Sequence, residues 1–400
     1  MSAKPKHAAT EPTYDAVIVG GGIVGTACAL ALAREGLRTA LVEQNTIGGG
    51  ATASGMGHIV VLDGSEAQFA LSRHSQKLWQ ELAPKLPASA GFSQTGTLWV
   101  AADDDEISEA KRKQDYLAAR GVPCRLLSAS ELAAQEPHLR SGLSGGLMVE
   151  QDAVVFSPVV ADYLLREALA LGATLYSGVT VTKLGHGEAR LEDGRVLRAV
   201  RLVNAAGAGA PFCTPGLPIQ KRKGHLAITD RYPGFVRSQL VELGYMKSAH
   251  AVSADSVAFN VQPRPTGQLL IGSSRQYGRE DGAVEQAMLG SMLRRALEYL
   301  PALAGCNIVR TWTGFRAATP DKLPLIGPMP DDASLWLATG HEGLGITTAL
   351  ATAELLAAAL SGTEATIDPT PYLPERFFST LPITSSAVPA RLSTRSEEKP

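Results

Sequence analysis

The segment from Tyr14 to Gln44 constrains the fold more than any other stretch of this chain. Asp15 to Val19 (DAVIV) is a short apolar run of the kind a buried parallel strand requires, and Gly20-Gly21-Gly22-Ile23-Val24-Gly25 follows it directly. Each glycine of the GxGxxG spacing has its own physical task. Gly20 permits a tight turn, Gly22 lets a pyrophosphate approach the backbone, and Gly25 lets the following helix lie close on the strand. The Ala/Leu-rich run Thr26 to Arg34 is that helix, Gly36 ends it, and Arg38 to Val42 is a second strand ending on Glu43. A carboxylate at that point can accept both ribose hydroxyls and would repel a 2′-phosphate. The helix start offers unpaired N–H groups and a positive dipole end to phosphates. GxGxxG alone is weak, but strand, helix and acid are all in place here, which favours a dinucleotide site over a plain glycine turn.

Four hundred residues exceed one ordinary core, so two domains are expected. Lys and Arg number 37 against 39 Asp and Glu, a balance that argues against a nucleic-acid surface or a polybasic membrane patch. Met1 to Thr13 lacks the apolar core of a signal peptide, and the late apolar run Thr347 to Leu360 carries Glu354 and falls short of the ~20 residues of a membrane span. A cytoplasmic protein without a transmembrane segment is expected. Cys28, Cys124, Cys213 and Cys306 are scattered, with no CxxC pair or histidine at ligand spacing, so neither a metal site nor a disulfide framework is expected.

Beyond Glu43, a second run of small residues from Gly48 to Gly57 permits close backbone approach, so the ligand is expected to extend past its adenosine half. Ser65 to Leu82 reads as a helix closing over that run; His58 and His74 read as packing or surface histidines. From about Ala88 the pattern changes. Thr95 to Ala101 is strand-like, and Asp104 to Arg120 is a charged helix whose first acids suit the positive dipole end. Ser157 starts a long helix, 173–176 and 179–181 are strand, and Arg201 to Ala210 again runs from a strand into small residues. A sheet-rich stretch follows Gly224, with a helix from Ala283 to Leu300. Near the end, Leu335 to Thr339 is a strand, Gly340 to Gly345 a glycine turn and Ile346 to Leu360 a helix. In a doubly wound sheet such turns gather at one edge, where one extended ligand touches both.

Taken together, the order of Gly20 to Glu43, the Gly55-Met56 loop, Val203-Asn-Ala-Ala-Gly207, Gly314-Phe-Arg316 and Gly340 to Gly345 resembles the D-amino-acid oxidase and glycine oxidase family of FAD-dependent oxidoreductases, from about Tyr14 to Phe377. The phrases Ala53 to His58 and Gly340 to Gly345 most resemble the D-hydroxyproline dehydrogenases and the flavoprotein subunit of hydrogen cyanide synthase.

The resemblance implies an α/β fold: a Rossmann-like, doubly wound FAD-binding domain from 14–86, 150–222 and 309–377, and a discontinuous α+β substrate domain from 87–149 and 223–308. Residues 1–13 and 379–400 are expected to be flexible tails. It further implies that Gly20, Gly22, Gly25 and Glu43 bind the ADP half of FAD and backbone at Val181 the adenine. Ala206 and Gly207 would line the pyrophosphate and ribityl side. Gly55 would belong to the loop beside the flavin, and Gly340, Gly343, Gly345 and Ile346 would direct N–H groups at its pyrimidine. Arg316 matches the family's carboxylate-binding arginine and Met56 the residue at the flavin face; the alternative for Arg316 is a brace on Asp321. Asn260 stands where relatives often have a tyrosine and Gly343 where they have a second arginine, which implies a site cut for a different amine. His341 is either a contact or proton relay or a structural residue. No cysteine or histidine occupies the family's covalent positions, so noncovalent FAD is implied.

The implied reaction is oxidation of the C–N bond of a small amino acid, best a D-configured or cyclic secondary one such as cis-4-hydroxy-D-proline. Glycine, sarcosine or another D-amino acid is the alternative. Oxygen or a quinone-linked electron-transfer chain would accept the electrons, and partner subunits are a further expectation. The rivals from other classes are a flavin monooxygenase and a silent flavin-carrying subunit.

Overall fold

A computed structural model of the chain describes residues 13–244 and 255–378. Apart from Thr13, the two expected tails lie outside the described residues. The architecture is two sheets with helices packed on them. The first sheet runs in the order 325–329, 332–339, 196–204, 13–19, 39–43, 174–177. Of the five pairings along that path four are parallel, and the one at the 325–329 edge is antiparallel. The register sets Val19 beside both Val42 and Asn204, and Asn204 beside Leu337. The carboxyl ends of four strands therefore finish level, on either side of the point where strand order reverses, which is where doubly wound sheets bind ligands.

The strand Thr13–Val19 and the helix Ile23–Arg34 meet as the glycines require. Gly20 has φ +109, and a Cβ there would press on the Ala205 carbonyl at 2.6 Å. A Cβ at Gly25 would run into the Gly20 carbonyl itself. Helix Ile23–Arg34 is buried on nearly every side. It packs between helices Ser157–Ala170 and Gly345–Ser361, and only alanine-sized residues allow that closeness on two flanks. The same reason makes Gly345–Ser361 alanine-rich; it ends at Gly362 in the left-handed conformation, φ +69.

The second sheet has nine strands, in the order 341–342, 308–318, 220–231, 268–275, 256–263, 239–242, 97–101, 145–149, 124–128. It is antiparallel apart from the 239–242 and 97–101 pair. Strand Ile308–Ala318 lies in this sheet, so the last passage back to the first sheet comes after Ala318, later than the expected boundary at 309. Residues 145–149 also pair here, between 97–101 and 124–128. Helix Gln286–Tyr299 covers the outer face and begins three residues later than its sequence pattern implies. Within the small-residue run, Gly50–Ser54 forms a short helix rather than open loop.

Helix Glu66–Leu82, started by the Ser65 hydroxyl accepting from Gln68 N, anchors the closing helix. Fully buried Trp79 donates through Nε1 to the Ile346 and Thr347 carbonyls at 3.2 and 3.0 Å, and Ser75 Oγ accepts from Ala351 N. His74 contacts Glu354 at 2.9 Å, a packing role as its sequence context implies. Among the described residues no helix is long and apolar enough to cross a membrane, and no cluster of His, Cys, Asp and Glu could hold a metal.

Trp79→Phe keeps an aromatic ring but is smaller than the indole and removes the N–H given to both carbonyls; it should lower unfolding free energy by about 1–3 kcal/mol in a denaturant titration. A second expectation concerns enclosed Asp152. Burial pushes its carboxyl up to about 7, against hydrogen bonds from Val61 N and Gln76 and the charge of Lys113. A raised carboxyl favours the protonated folded state, so its contribution is full below about pH 4 and is lost as pH rises toward 7. Asp152→Asn abolishes that loss; its stability relative to wild type should climb between those limits, by at most ~1.4 kcal/mol per pH unit. Denaturant midpoints at pH 4 and pH 7.5 measure it.

Candidate active site

Between the level strand ends of the first sheet and one face of the second lies a cavity of about 760 Å³. Every residue expected in the site except Gly25 lines it. Gly25 instead sits one helical turn back, where it sets the spacing of helix and strand.

At the end formed by the first sheet, backbone groups dominate. The helix Ile23–Arg34 has neither a capping side chain nor an acid in its first turn. Ile23 N is held by Thr52 Oγ1 at 3.0 Å, and a Cβ at Gly22 would meet that hydroxyl at 3.2 Å. Across the cavity, Asn204 fixes the turn after its strand. Its amide donates to the Ala210 carbonyl and Thr214 Oγ1, and its carbonyl accepts from Ala206 N. Gly207, at φ +56, follows; a Cβ on it or on Gly209 would meet nothing within 4 Å. This is a cradle of small residues and N–H groups, and its donors fit the pyrophosphate of a dinucleotide.

Glu43 fastens the turn from the other side. Its Oε2 accepts from Gly21 N at 2.6 Å and its Oε1 from Asn45 N at 2.7 Å. A carboxylate has about four acceptor positions, so capacity remains for a ligand hydroxyl. Val181 opens its strand beside the cavity, and its carbonyl accepts from Cys213 Sγ at 3.3 Å. Burial pushes that thiol up to about 11.

The end formed by the second sheet is built from side chains. Arg316 stands opposite Arg222 in the ladder, two residues from the Gly224 and Gly314 pair. Its guanidinium lies over Gly224, where a Cβ would come within 2.5 Å of Nη1, and it donates to the Ser274 carbonyl at 3.0 Å. Like charges opposite each other destabilise a sheet. Here Arg222 is buried and ion-paired with Glu342, and it donates to Tyr277 Oη at 3.1 Å. Asp321, the alternative partner for Arg316, is held by Arg376 at 2.6 Å.

Met56 is buried against Leu226 and Leu270 and makes an apolar floor, with its carbonyl accepting from Gln262 Nε2 at 2.7 Å. Asn260, Gln262 and Gln239 lie on one face of adjacent strands, and each has a buried carbonyl oxygen with no hydrogen-bond partner among the described residues. Trp99 completes this wall, and behind it the buried Lys113, ion-paired with Asp63, sits 4.7 Å over the indole ring.

His341 is buried, and its Nε2 contacts Thr352 Oγ1 at 2.9 Å, which ties the glycine turn to the closing helix. Burial lowers it to about 4, so the ring is neutral. Gly340, at φ +79, turns the chain just before it. The closing helix begins at Gly345 with no capping side chain and no acid in its first turn, its N–H groups left toward the cavity wall.

His58 departs from its sequence reading as a packing or surface residue, because it lines the cavity. Arg316 and Gly343, which share the cavity wall with it, lie far along the chain. The Arg222 and Glu342 pair, Gln239 and Trp99 likewise carry no local motif. Arg222, Gly224 and Leu226 alternate along one strand, but the basic run Lys221 to Lys223 masks that period as a solvated face.

A family model described as FAD dependent oxidoreductase matches residues 15–359. The chain is 30% identical to glycine oxidase of Pseudomonas putida, over 90% of this chain and 98% of that one. It is 28% identical to hydrogen cyanide synthase subunit HcnC of Pseudomonas aeruginosa, over 91% and 96%. The crystal structure of glycine oxidase from Geobacillus kaustophilus superposes with a TM-score of 0.81 at 26% identity, covering 90% of this chain and 98% of that one.

Glu43→Gln leaves one oxygen where two backbone N–H groups need acceptors, so FAD affinity should fall by about 1.5–3 kcal/mol in a fluorescence titration of the apoprotein. Gly224→Ala should displace the Arg316 head while leaving FAD content intact, a split that flavin absorbance together with steady-state kinetics would measure.

Proposed function

Since the chain belongs to the family of FAD-dependent oxidoreductases, we propose that it oxidises the C–N bond of a small amino acid to an imine, which then hydrolyses or stays cyclic. FAD, when bound, supplies the acceptor for the hydride that leaves the α-carbon. Gly20, Gly22 and Glu43 would hold its ADP half, with Gly25 setting the helix close on the strand, backbone at Val181 the adenine, and Ala206 and Gly207 the pyrophosphate and ribityl stretch. Gly55, Gly340, Gly343, Gly345 and Ile346 surround the flavin, and the uncapped helix start at Gly345 favours negative charge there. The cofactor is held noncovalently. Cys213, the cysteine lining the cavity, is a buried thiol of raised pKa, which makes it a poor nucleophile.

The observation that carries the reading is the polarity of the substrate end. Arg316 lines one part of it, and Asn260 and Gln239, each with an amide oxygen that has no partner among the described residues, line another, with the Met56 floor between the two sheets. Arg316 offers paired N–H groups to a carboxylate. The floor excludes water, and the amide oxygens accept from a hydroxyl or amine farther along the substrate. A ring-hydroxylated cyclic amino acid such as cis-4-hydroxy-D-proline satisfies both ends. Glycine or sarcosine would leave buried acceptors unpaired, at a cost of roughly 1–3 kcal/mol each. Oxygen or a quinone-linked chain takes the electrons, and the name of the cyanide-forming relative makes partner subunits a natural second question.

Anaerobic mixing with cis-4-hydroxy-D-proline, D-proline, sarcosine and glycine tests the reading, and flavin bleaching should be fastest with the first. Bleaching by NADPH alone would instead indicate a monooxygenase. Turnover by the isolated chain would exclude a silent flavin carrier. Acid precipitation should release the flavin into the supernatant.

Arg316→Lys should cost carboxylate substrates about 1.5–3 kcal/mol in kcat/KM, and an amine lacking the carboxylate much less. Equal losses for both would make Arg316 a scaffold residue. Asn260→Leu should narrow the preference for hydroxyproline over proline, read as the ratio of their kcat/KM values.

A further inference from the structure

Resting on the proposed amine oxidation, we propose that His58 is the base that takes the ammonium proton from the substrate while Arg316 holds its carboxylate.

His58 opens a two-residue strand, His58–Ile59, paired with 153–154. Its position is rigid. The preceding Gly57 has φ +74 and abuts the Val155 carbonyl, and the His58 carbonyl accepts from Thr347 Oγ1 at 2.9 Å. The ring lines the cavity. Its Nδ1 is buried and has no hydrogen-bond partner among the described residues. In the neutral ring that carries its proton on Nε2, this Nδ1 is an acceptor. Such an acceptor is costly to bury unless a ligand completes it.

The electrostatics couple this nitrogen to substrate. Burial, and then the charge of Arg316, lower the ring to about 4, so it waits neutral. The other charged groups sharing the cavity include Arg222 in its pair with Glu342, and Arg275. A carboxylate arriving on Arg316 offsets the charge that depresses the ring, while the apolar floor disfavours the substrate's ammonium. Both changes move the proton the same way. The N–H bond of the ammonium breaks and an Nδ1–H bond forms, giving a neutral amine and an imidazolium. The amine lone pair thus freed is the one that forms the C=N bond. Gly343 leaves the space beside Arg316 open: a Cβ there would stand 3.7 Å from Nε.

Two measurements on the FAD-loaded protein test this. The first is calorimetry of furan-2-carboxylate binding at pH 5–6, in buffers of different ionisation enthalpy. Wild type should take up a fraction of a proton, and His58→Gln and His58→Asn should take up none. The second is anaerobic flavin bleaching by D-proline from pH 6 to 10. Both variants should be slower at pH 7 on the order of 100-fold, as for a lost general base, with a rate that rises about tenfold per pH unit because only pre-deprotonated amine reacts. Flavin content serves as the folding control. Variants that keep the wild-type proton uptake and pH profile would overturn the proposal while leaving the amine reaction standing. If no amine bleaches the wild type, the reaction assignment falls and with it the base role; proton uptake lost only in the variants would still tie His58 to the anion at Arg316.

Discussion

The backbone contact between the first strand and the first helix governs the rest of the architecture. Gly25 lies directly on the Gly20 carbonyl, and Gly20 in turn lies on Ala205. Any side chain at these points would lift the helix from the sheet and part the strand ends at Val19 and Asn204, which are in register. The uncapped N–H groups of that helix would then no longer face the turn after Asn204. The packing of three alanine-rich helices follows from the same closeness, because the first helix has large buried surfaces on both flanks.

The second sheet solves a different problem, that of holding charge in a poorly solvated place. Buried cations are costly unless paired and hydrogen-bonded. Arg222 has Glu342 and Tyr277, Lys113 has Asp63 and the face of Trp99, and Lys223 has Asp281. Arg316 donates to the carbonyl of Ser274, beside a glycine that leaves room for its head. Preorganised groups of this kind need little rearrangement when an anion arrives.

Much of the first sheet was legible because its signals are local. A strand, a glycine turn, a helix and a terminal acid lie within thirty residues, and each glycine's task is set by its immediate neighbours. The closing glycine turn and helix were legible for the same reason. The substrate end was legible only through resemblance, which supplied Arg316, Met56 and Asn260. His58, Gln239, Trp99 and the Arg222 and Glu342 pair were hidden because their environment is assembled from strands far apart in the chain. Even the basic run Lys221 to Lys223 reads as solvated until Asp281 and Glu342 are seen to cover it. The long strand Ile308–Ala318 shows the same limit: its pattern does not reveal which of two sheets it joins.

The strand Asp332–Thr339 belongs to the first sheet, yet one glycine later His341–Glu342 pairs at the edge of the second. A single peptide segment is thus stitched into both sheets at the mouth of the ligand cavity. A ligand filling that cavity bridges two bodies that are otherwise joined by short crossings, and its binding free energy adds to the cohesion of both. Cofactor loss would therefore register as loosening of the seam between them before either sheet frayed. Exchange of amide hydrogens along that seam, and susceptibility to proteases there, would track flavin supply, and the lifetime of the protein in a cell would follow its cofactor as closely as its activity does.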